Sequence, residues 1–249
     1  MNTQLQLDFA DYYDRYATSY VEKQAQGQLY FNNAIEVPAV LGALDKRIKS
    51  YSGAKILDVG SGLGIYSEKL ARTGASVTAL DISPQMVEIT KNACKDFNVT
   101  CLNEDFLSHA VTRGSEYDFV VAGFMLGYFE NIEIFFQRLW QVTKRGSIVF
   151  VSSIHPFKAP YSKTEKEIEF HSYFRRQYHV SNFLNNEEPI SLRRWLPEEV
   201  TQVAYSTKFA VDRILEPRPV ISYSDYGTKE LFDYYSDNPS VIIYELRRR

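Results

Sequence analysis

Residues 55–64, Lys-Ile-Leu-Asp-Val-Gly-Ser-Gly-Leu-Gly, constrain the fold of this chain more than any other stretch. The apolar run reads as a buried parallel strand. Gly60, Gly62 and Gly64 follow at alternate positions. That pattern reads as a turn where backbone passes close to a ligand, since only glycine lacks the Cβ that would block the approach. A helical pattern begins at once and runs over residues 65–73. Strand, glycine turn and helix make the first unit of a nucleotide-binding α/β fold.

The chain goes on in the same rhythm. Residues 76–80 read as a second strand that ends at Asp81, with Ser83 as cap and Pro84 as first residue of a helix to about Phe97. Residues 99–102, 117–122 and 146–154 read as the third, fourth and fifth strands, with a helix over 132–142. Such alternation indicates parallel βαβ units. It stops at His155-Pro156. Residues 157–195 hold Tyr161, Phe170, Tyr173, Phe174, Tyr178, Phe183 and Trp195, with the pairs Arg175-Arg176 and Arg193-Arg194. This part reads as a cap inserted over the strand ends, with segments 172–184 and 189–195 able to pair as strands. A helix from Pro197 to about Thr207 follows, then strands over 210–216 and 240–246 joined by a link over 217–239. Ahead of the core, Phe9, Tyr12, Tyr13, Tyr16, Ala17 and Tyr20 share one helix face. That face suits an amphipathic helix packed on the domain, or a lid whose phenols face a ligand. A second amphipathic helix is expected over residues 34–48. The reading is one domain over 1–249: N-terminal helices 1–50, core 55–156, cap 157–195 and the rest of the sheet in 196–249.

Composition narrows the function classes. The formal net charge of −3 argues against a nucleic-acid partner, because phosphate binding usually needs a basic surface. No apolar run approaches the roughly 20 residues of a membrane span. Cys94 and Cys101 suggest no disulfide framework, and with no signal peptide visible at Met1 the expectation is a reducing cytoplasm. No Cys/His spacing suggests a metal site. The 18 Tyr and 16 Phe are unusually many, and a good number lie outside the nucleotide unit.

Asp81 ends the second strand about 20 residues beyond Gly60, where a carboxylate holds a ribose diol. A helix-capping Asp is the alternative. The glycine spacing is Gly-x-Gly-x-Gly and not the Gly-x-Gly-x-x-Gly of dinucleotide binders, with Asp58, Asp81 and Asp105 at or near the ends of the first three strands. In that combination residues 55–154 resemble the class I S-adenosylmethionine-dependent methyltransferases, and Tyr13-Asp14-Arg15-Tyr16-Ala17 is similar to the opening helix of small-molecule members. The resemblance implies a Rossmann-like, mostly parallel seven-stranded sheet with helices on both faces, an N-terminal helical lid and a cap after strand 5. It implies S-adenosylmethionine as cofactor. Asp58 and the backbone of Gly60, Ser61 and Gly62 would meet its methionine portion, with Gly64 closing the turn. Asp81 would hold the ribose, with Ile82 and Met86 against the adenine. Asp105 would accept from the adenine amino group, with Phe106 flanking the ring. Ala122 and Gly123 would supply backbone near the methionine amine. After them the acid- or His-rich stretch typical of the family is replaced by Phe124-Met125-Leu126-Gly127-Tyr128-Phe129, an apolar and aromatic acceptor side. The Asn-Pro-Pro-Tyr signature of DNA-amine and protein-amide methyltransferases is absent.

His155, just past the fifth strand, is the candidate general base, since an imidazole pKa of about 6.5 suits proton transfer at neutral pH. The alternative is a His that packs or caps the turn before Pro156. Tyr13, Tyr20, Tyr128 and Tyr178 are candidates to orient an acceptor, with packing as the alternative for each. Arg175, Arg176, Arg193 and Arg194 suit either a substrate carboxylate or a solvated strand face; His171 and His179 read as surface residues. The expected reaction is methyl transfer to a small, partly apolar or aromatic metabolite. Competing readings are a non-methylating use of the same cofactor, such as cyclisation, a nicotinamide dehydrogenase, and a nucleic-acid or protein methyltransferase. Homo-oligomerisation stays open, because aromatics in the cap could cover a neighbour's site.

Overall fold

The computed structural model describes residues 3–109, 116–157, 178–181, 188–220 and 227–249. In chain order the N-terminal part is α1 (Thr3–Arg15), α2 (Ala17–Ala25), a π-helical turn (Phe31–Glu36) and α3 (Val37–Asp45). The core follows as β1 (Lys55–Val59), α4 (Ile65–Arg72), β2 (Ser76–Asp81), α5 (Pro84–Ala93), β3 (Val99–Asn103) and β4 (Tyr117–Ala122). Next come a 3-10 turn (Leu126–Tyr128), α6 (Ile132–Val142), β5 (Thr143–Ile154), β6 (Tyr178–Ser181) and β7 (Ile190–Arg193). The chain closes with α7 (Pro197–Ser206), β8 (Phe209–Leu215), α8 (Lys229–Asp237) and β9 (Val241–Arg248).

Seven strands form one sheet in the order β3-β2-β1-β4-β5-β9-β8. β1 to β5 run parallel, and β9 lies antiparallel between β5 and β8. This is the expected Rossmann-like sheet. From β1 the chain winds one way through β2 and β3, then returns to the other side with β4 and β5. The direction reverses between β1 and β4, and in sheets of this kind ligands bind at that reversal, at the carboxyl ends of the strands. Helices cover both faces. Phe135, Phe136 and Leu139 of α6 pack with Val200 and Ala204 of α7 on one face. Ile35, Val40 and Leu44 pack with Leu70 of α4 and Tyr235 of α8 on the other.

Several boundaries differ from the sequence reading. The helix expected over 34–48 begins as a π-helical turn. Pro38 has no N–H to return to the carbonyl of Ala34, and the N–H of Val220 takes that oxygen instead at 2.9 Å. The helix from Pro84 stops at Ala93, where the Cys94 and Phe97 N–H groups close successive turns onto Thr90 O and Cys94 O; Asp96 and Asn98 beyond are poor helix formers. The link over 217–239 contains α8, whose N-terminus is capped by Thr228 Oγ1 accepting from Leu231 N at 3.2 Å. The two cap segments do pair, β6 antiparallel to β7. The rest of the cap, with Tyr161, Phe170, His171, Tyr173, Phe174, Arg175, Arg176, Phe183 and the side chain of His179, lies outside the described residues. Among the described residues no helix is long and apolar enough to cross a membrane.

Candidate active site

The glycine turn after β1 is tied to β2 and α5. Gly60, Gly62 and Gly64 all have positive φ, at 70°, 51° and 76°. Gly60 N–H and Ser61 N–H donate to Leu80 O at 2.8 and 3.0 Å. Gly62 N–H donates to Asp81 Oδ2 at 2.8 Å, and Thr90 Oγ1 donates to Gly62 O at 2.9 Å. Ser61 Oγ lies 3.3 Å from Thr90 Oγ1. The second oxygen of Asp81 accepts Ser83 N–H at 2.9 Å. Ser83 also caps α5, accepting from Met86 N at 3.1 Å. A Cβ on Gly60 would run into the thioether of Met125, a residue that follows β4.

Three carboxylates converge on this edge. Asp81 is 8% exposed, Asp58 2% and Glu36, from the π-helical turn, 0%. Asp58 accepts from Ser67 Oγ at 2.6 Å. Ser152 Oγ donates to Glu36 Oε1 at 2.7 Å and itself accepts from Phe124 N at 2.7 Å. Burial pushes Glu36 and Asp58 up to about 7, with Asp58 adding to the rise of Glu36 and Asp81 to that of Asp58. Asp81 is raised by burial and by Asp14, while backbone N–H groups hold it down. The charged groups acting on each are thus further carboxylates. Glu36 Oε2 and the Tyr66 hydroxyl interact, yet both are buried without a well-formed hydrogen bond.

Glu36 was not anticipated from sequence. It precedes Asp58 by a helix and a loop, inside an otherwise apolar helical pattern, and only the fold brings it to Gly123. A Cβ on Gly123 would lie 3.0 Å from Glu36 Oε1 and 2.9 Å from the Tyr66 ring. The next residue, Phe124, has φ 55°, a left-handed conformation that a bulky side chain adopts only when its surroundings enforce it. The Ser152 hydroxyl on its N–H is part of that enforcement. Met125 also escaped the sequence reading as a wall of the turn.

The N-terminal helices close over the site. Asp14 accepts from Ser83 Oγ and from Gln85 N–H, which fastens α1 to the start of α5. The hydroxyls of Tyr13 and Tyr128 are hydrogen-bonded across the gap between α1 and the 3-10 turn. Phe9 meets the Tyr128 ring edge-on at 5.0 Å. Tyr20 is raised by burial and by the negative groups of Tyr128, Asp81 and Glu36, so it stands among them. Burial pushes Tyr128 up to about 12 and Tyr13 well above its ordinary value. Of the six residues after Gly123, Leu126 and Phe129 belong to the core, and Gly127 packs on β7.

Other expected residues occupy different settings. Ala122 is fully buried beneath Gly123. Ile82 is half-buried beside Asp81. Met86 is 1% exposed and packs with Ala17, Leu29 and Leu63 under the N-terminal helices. Asp105 accepts from Leu107 N at 3.0 Å and is raised by burial. Phe106 is 3% exposed and meets Phe135 edge-on at 5.5 Å, so its ring is part of the core. His155 has both ring nitrogens engaged. Nδ1 accepts from Phe157 N at 3.0 Å, which leaves the proton on Nε2 to donate to Glu216 Oε1 at 2.8 Å. Burial holds its pKa below the usual value against the opposing pull of Glu216. Among the described residues no group of His, Cys, Asp and Glu is placed to hold a metal ion.

Comparison with known proteins agrees with this geometry. Residues 57–151 match the family described as methyltransferase domain. A ubiquinone biosynthesis O-methyltransferase of Pectobacterium atrosepticum is 32% identical over 120 residues, covering 47% of this chain and 50% of that protein. A demethylmenaquinone methyltransferase of Tropheryma whipplei is 36% identical over 120 residues, covering 44% and 47%. The chain thus spans about half the length of the curated relatives it matches. Among solved structures, an S-adenosylmethionine-dependent methyltransferase of Mesorhizobium loti superposes with a TM-score of 0.68 at 20% identity, over 83% of this chain and 96% of that one.

Proposed function

We propose, from the premise that residues 57–151 are a domain of the S-adenosylmethionine-dependent methyltransferase family, that the chain transfers the cofactor's methyl group to a small, partly apolar or aromatic metabolite. The observation that carries this reading is the trio Glu36, Asp58 and Asp81, buried at this edge with further carboxylates, Asp14 among them, as the charged groups acting on it. Burying a carboxylate is costly unless it is paired, and the trio calls for a cation. S-adenosylmethionine brings a sulfonium and an ammonium.

The residues divide the work. Asp81 is aimed by one backbone N–H on each oxygen, which leaves a lone pair on each for the two ribose hydroxyls. Asp58 and the backbone of Gly60, Ser61 and Gly62 face the methionine portion, and Gly64 lets the chain turn into α4. Ile82 and Met86 wall the adenine, and Asp105 takes its amino group; the buried ring of Phe106 supports that wall from below. Ala122 and Gly123 end β4 beside Glu36, whose Oε2 is suited to the methionine ammonium. When bound, S-adenosylmethionine supplies a methyl group already activated for in-line displacement. The chain then has to align the acceptor and exclude water, which can lower a barrier by roughly 7–11 kcal/mol. The closed N-terminal helices suit water exclusion. Tyr13 and Tyr128 stay neutral at physiological pH, so they orient an acceptor by hydrogen bonding and take no proton from it. His155, with both nitrogens engaged, holds the turn after β5 through Glu216 and Phe157.

The curated relatives act in quinone biosynthesis by their names, so quinol precursors belong in the acceptor panel with phenols, amines and aromatic acids. The expected result is an acceptor heavier by one methylene unit, together with S-adenosylhomocysteine. Failure to form S-adenosylhomocysteine with every acceptor would contradict methyl transfer. An acceptor converted without gain of mass would point to the non-methylating use of the cofactor.

A further inference from the structure

We infer that Arg194 receives an anionic oxygen group, a carboxylate or a phosphate, on the methyl acceptor, an inference that rests on the methyl-transfer reading. Arg194 follows β7 directly and is half-buried. Its Nε is buried without a hydrogen-bond partner. Burial also holds the guanidinium below its ordinary pKa. By contrast, Arg193 and Arg15 are engaged. Arg193 Nη1 donates to Glu130 O at 2.6 Å and Glu130 Oε2 at 3.0 Å, and its guanidinium lies 4.0 Å from the centre of the Trp195 ring. Arg15 pairs with Glu188 at 3.2 Å. Buried donors in native proteins are nearly always satisfied, so an orphan Nε on a guanidinium calls for an acceptor oxygen from outside the chain.

The position of Arg194 suits the acceptor better than the cofactor. β7 packs on the 3-10 turn: a Cβ on Gly127 would lie 3.0 Å from Leu192 Cβ and 3.4 Å from Arg193 O. Trp195 Nε1 donates to Leu126 O at 3.1 Å and Phe129 O at 3.2 Å. That turn carries Tyr128, whose hydroxyl meets that of Tyr13 from α1. On its other side Arg194 acts on His155, just beyond β5. Glu216 occupies that corner too, but its carboxylate is taken by His155. Arg194 therefore stands at the carboxyl ends of the strands, apart from the three carboxylates that suit the cationic cofactor. The charges are segregated, with negative groups under the methyl donor and a positive group to one side. An acceptor carrying an anion would be drawn in with that end on Arg194, leaving its other end towards the sulfonium methyl. The guanidinium fork fits carboxylate and phosphate oxygens in pairs.

The test is calorimetric titration of the full chain saturated with S-adenosylhomocysteine. Matched probes are 4-hydroxybenzoate against its methyl ester, hexanoate against methyl hexanoate, and phenyl phosphate against phenol. At least one anion should bind about tenfold or more tightly than its neutral partner. That preference should vanish in Arg194→Gln and persist in part in Arg194→Lys, which keeps the charge without the fork. Affinity for S-adenosylhomocysteine should be the same in all three proteins. The carboxylate and phosphate arms tell which anion the site takes. No preference for any anion, or a preference that survives in Arg194→Gln, overturns the inference while leaving methyl transfer standing. Failure of wild-type protein to bind S-adenosylhomocysteine overturns both.

Discussion

Glu36 and Asp58 hold their protons to about pH 7, where an exposed carboxyl would lose its own near pH 4. Between those values the folded chain binds protons that the unfolded chain has released. Their contribution to stability is therefore greatest at low pH and declines as pH rises through about 7. Glu36→Gln removes one of these groups and keeps an amide for Ser152. The melting temperature of the cofactor-free variant should gain on that of wild type as pH rises from 5 to 7.5; a constant gap would show that Glu36 is ionised throughout. A bound cation reverses the cost, so S-adenosylmethionine binding should release protons near pH 6.5, fewer in Glu36→Gln, measurable from the heat of binding in buffers of different ionisation enthalpy. Glycine shape can be tested alongside. Gly123→Ala places a methyl against Glu36 Oε1 and the Tyr66 ring and should weaken cofactor binding by about tenfold or more. Asp58 and Asp81 were legible in the sequence because each ends a strand in a short, patterned segment. Glu36 was not, since nothing in its own neighbourhood distinguishes it from a solvent-facing acid.

The N-terminal helices work as a lid with two fastenings. One is Asp14 on the start of α5, the other the Tyr13–Tyr128 hydroxyl pair. Tyr13→Phe removes the second and keeps the ring packing. A neutral hydrogen bond contributes about 0.5–1.5 kcal/mol, so S-adenosylhomocysteine should leave about two- to tenfold faster, as stopped-flow fluorescence would record. An unchanged rate would mean that the helices do not gate the site. Element placement was mostly readable: β4 and α6 fall where their apolar runs predicted, and Ser83 caps α5 as its place before Pro84 suggested. What escaped depends on distant partners. At the π-helical turn Val220, far along the chain, takes the carbonyl that Pro38 cannot. The helix α8 lies in a Tyr-rich link whose aromatic pairs mask its period.

Over the whole molecule the parallel half of the sheet follows from βαβ alternation, but the insertion of β9 between β5 and β8 does not. It depends on pairings such as Phe150 with Glu245, and on the buried Glu245 being met there by Arg47 and Arg213. The same sheet gathers Asp58 from β1, Asp81 from β2 and Gly123 from the end of β4 at one edge, and Glu36 is laid against them from the π-helical turn ahead of β1. The proposed function requires that edge to hold S-adenosylmethionine. Calorimetric titration of wild-type protein and Asp81→Ala with S-adenosylmethionine tests it most directly. One-to-one binding by wild type is expected, with a loss of about tenfold to a hundredfold in the variant and unchanged far-ultraviolet circular dichroism. Equal affinity in the two proteins, or no binding by wild type, would contradict it.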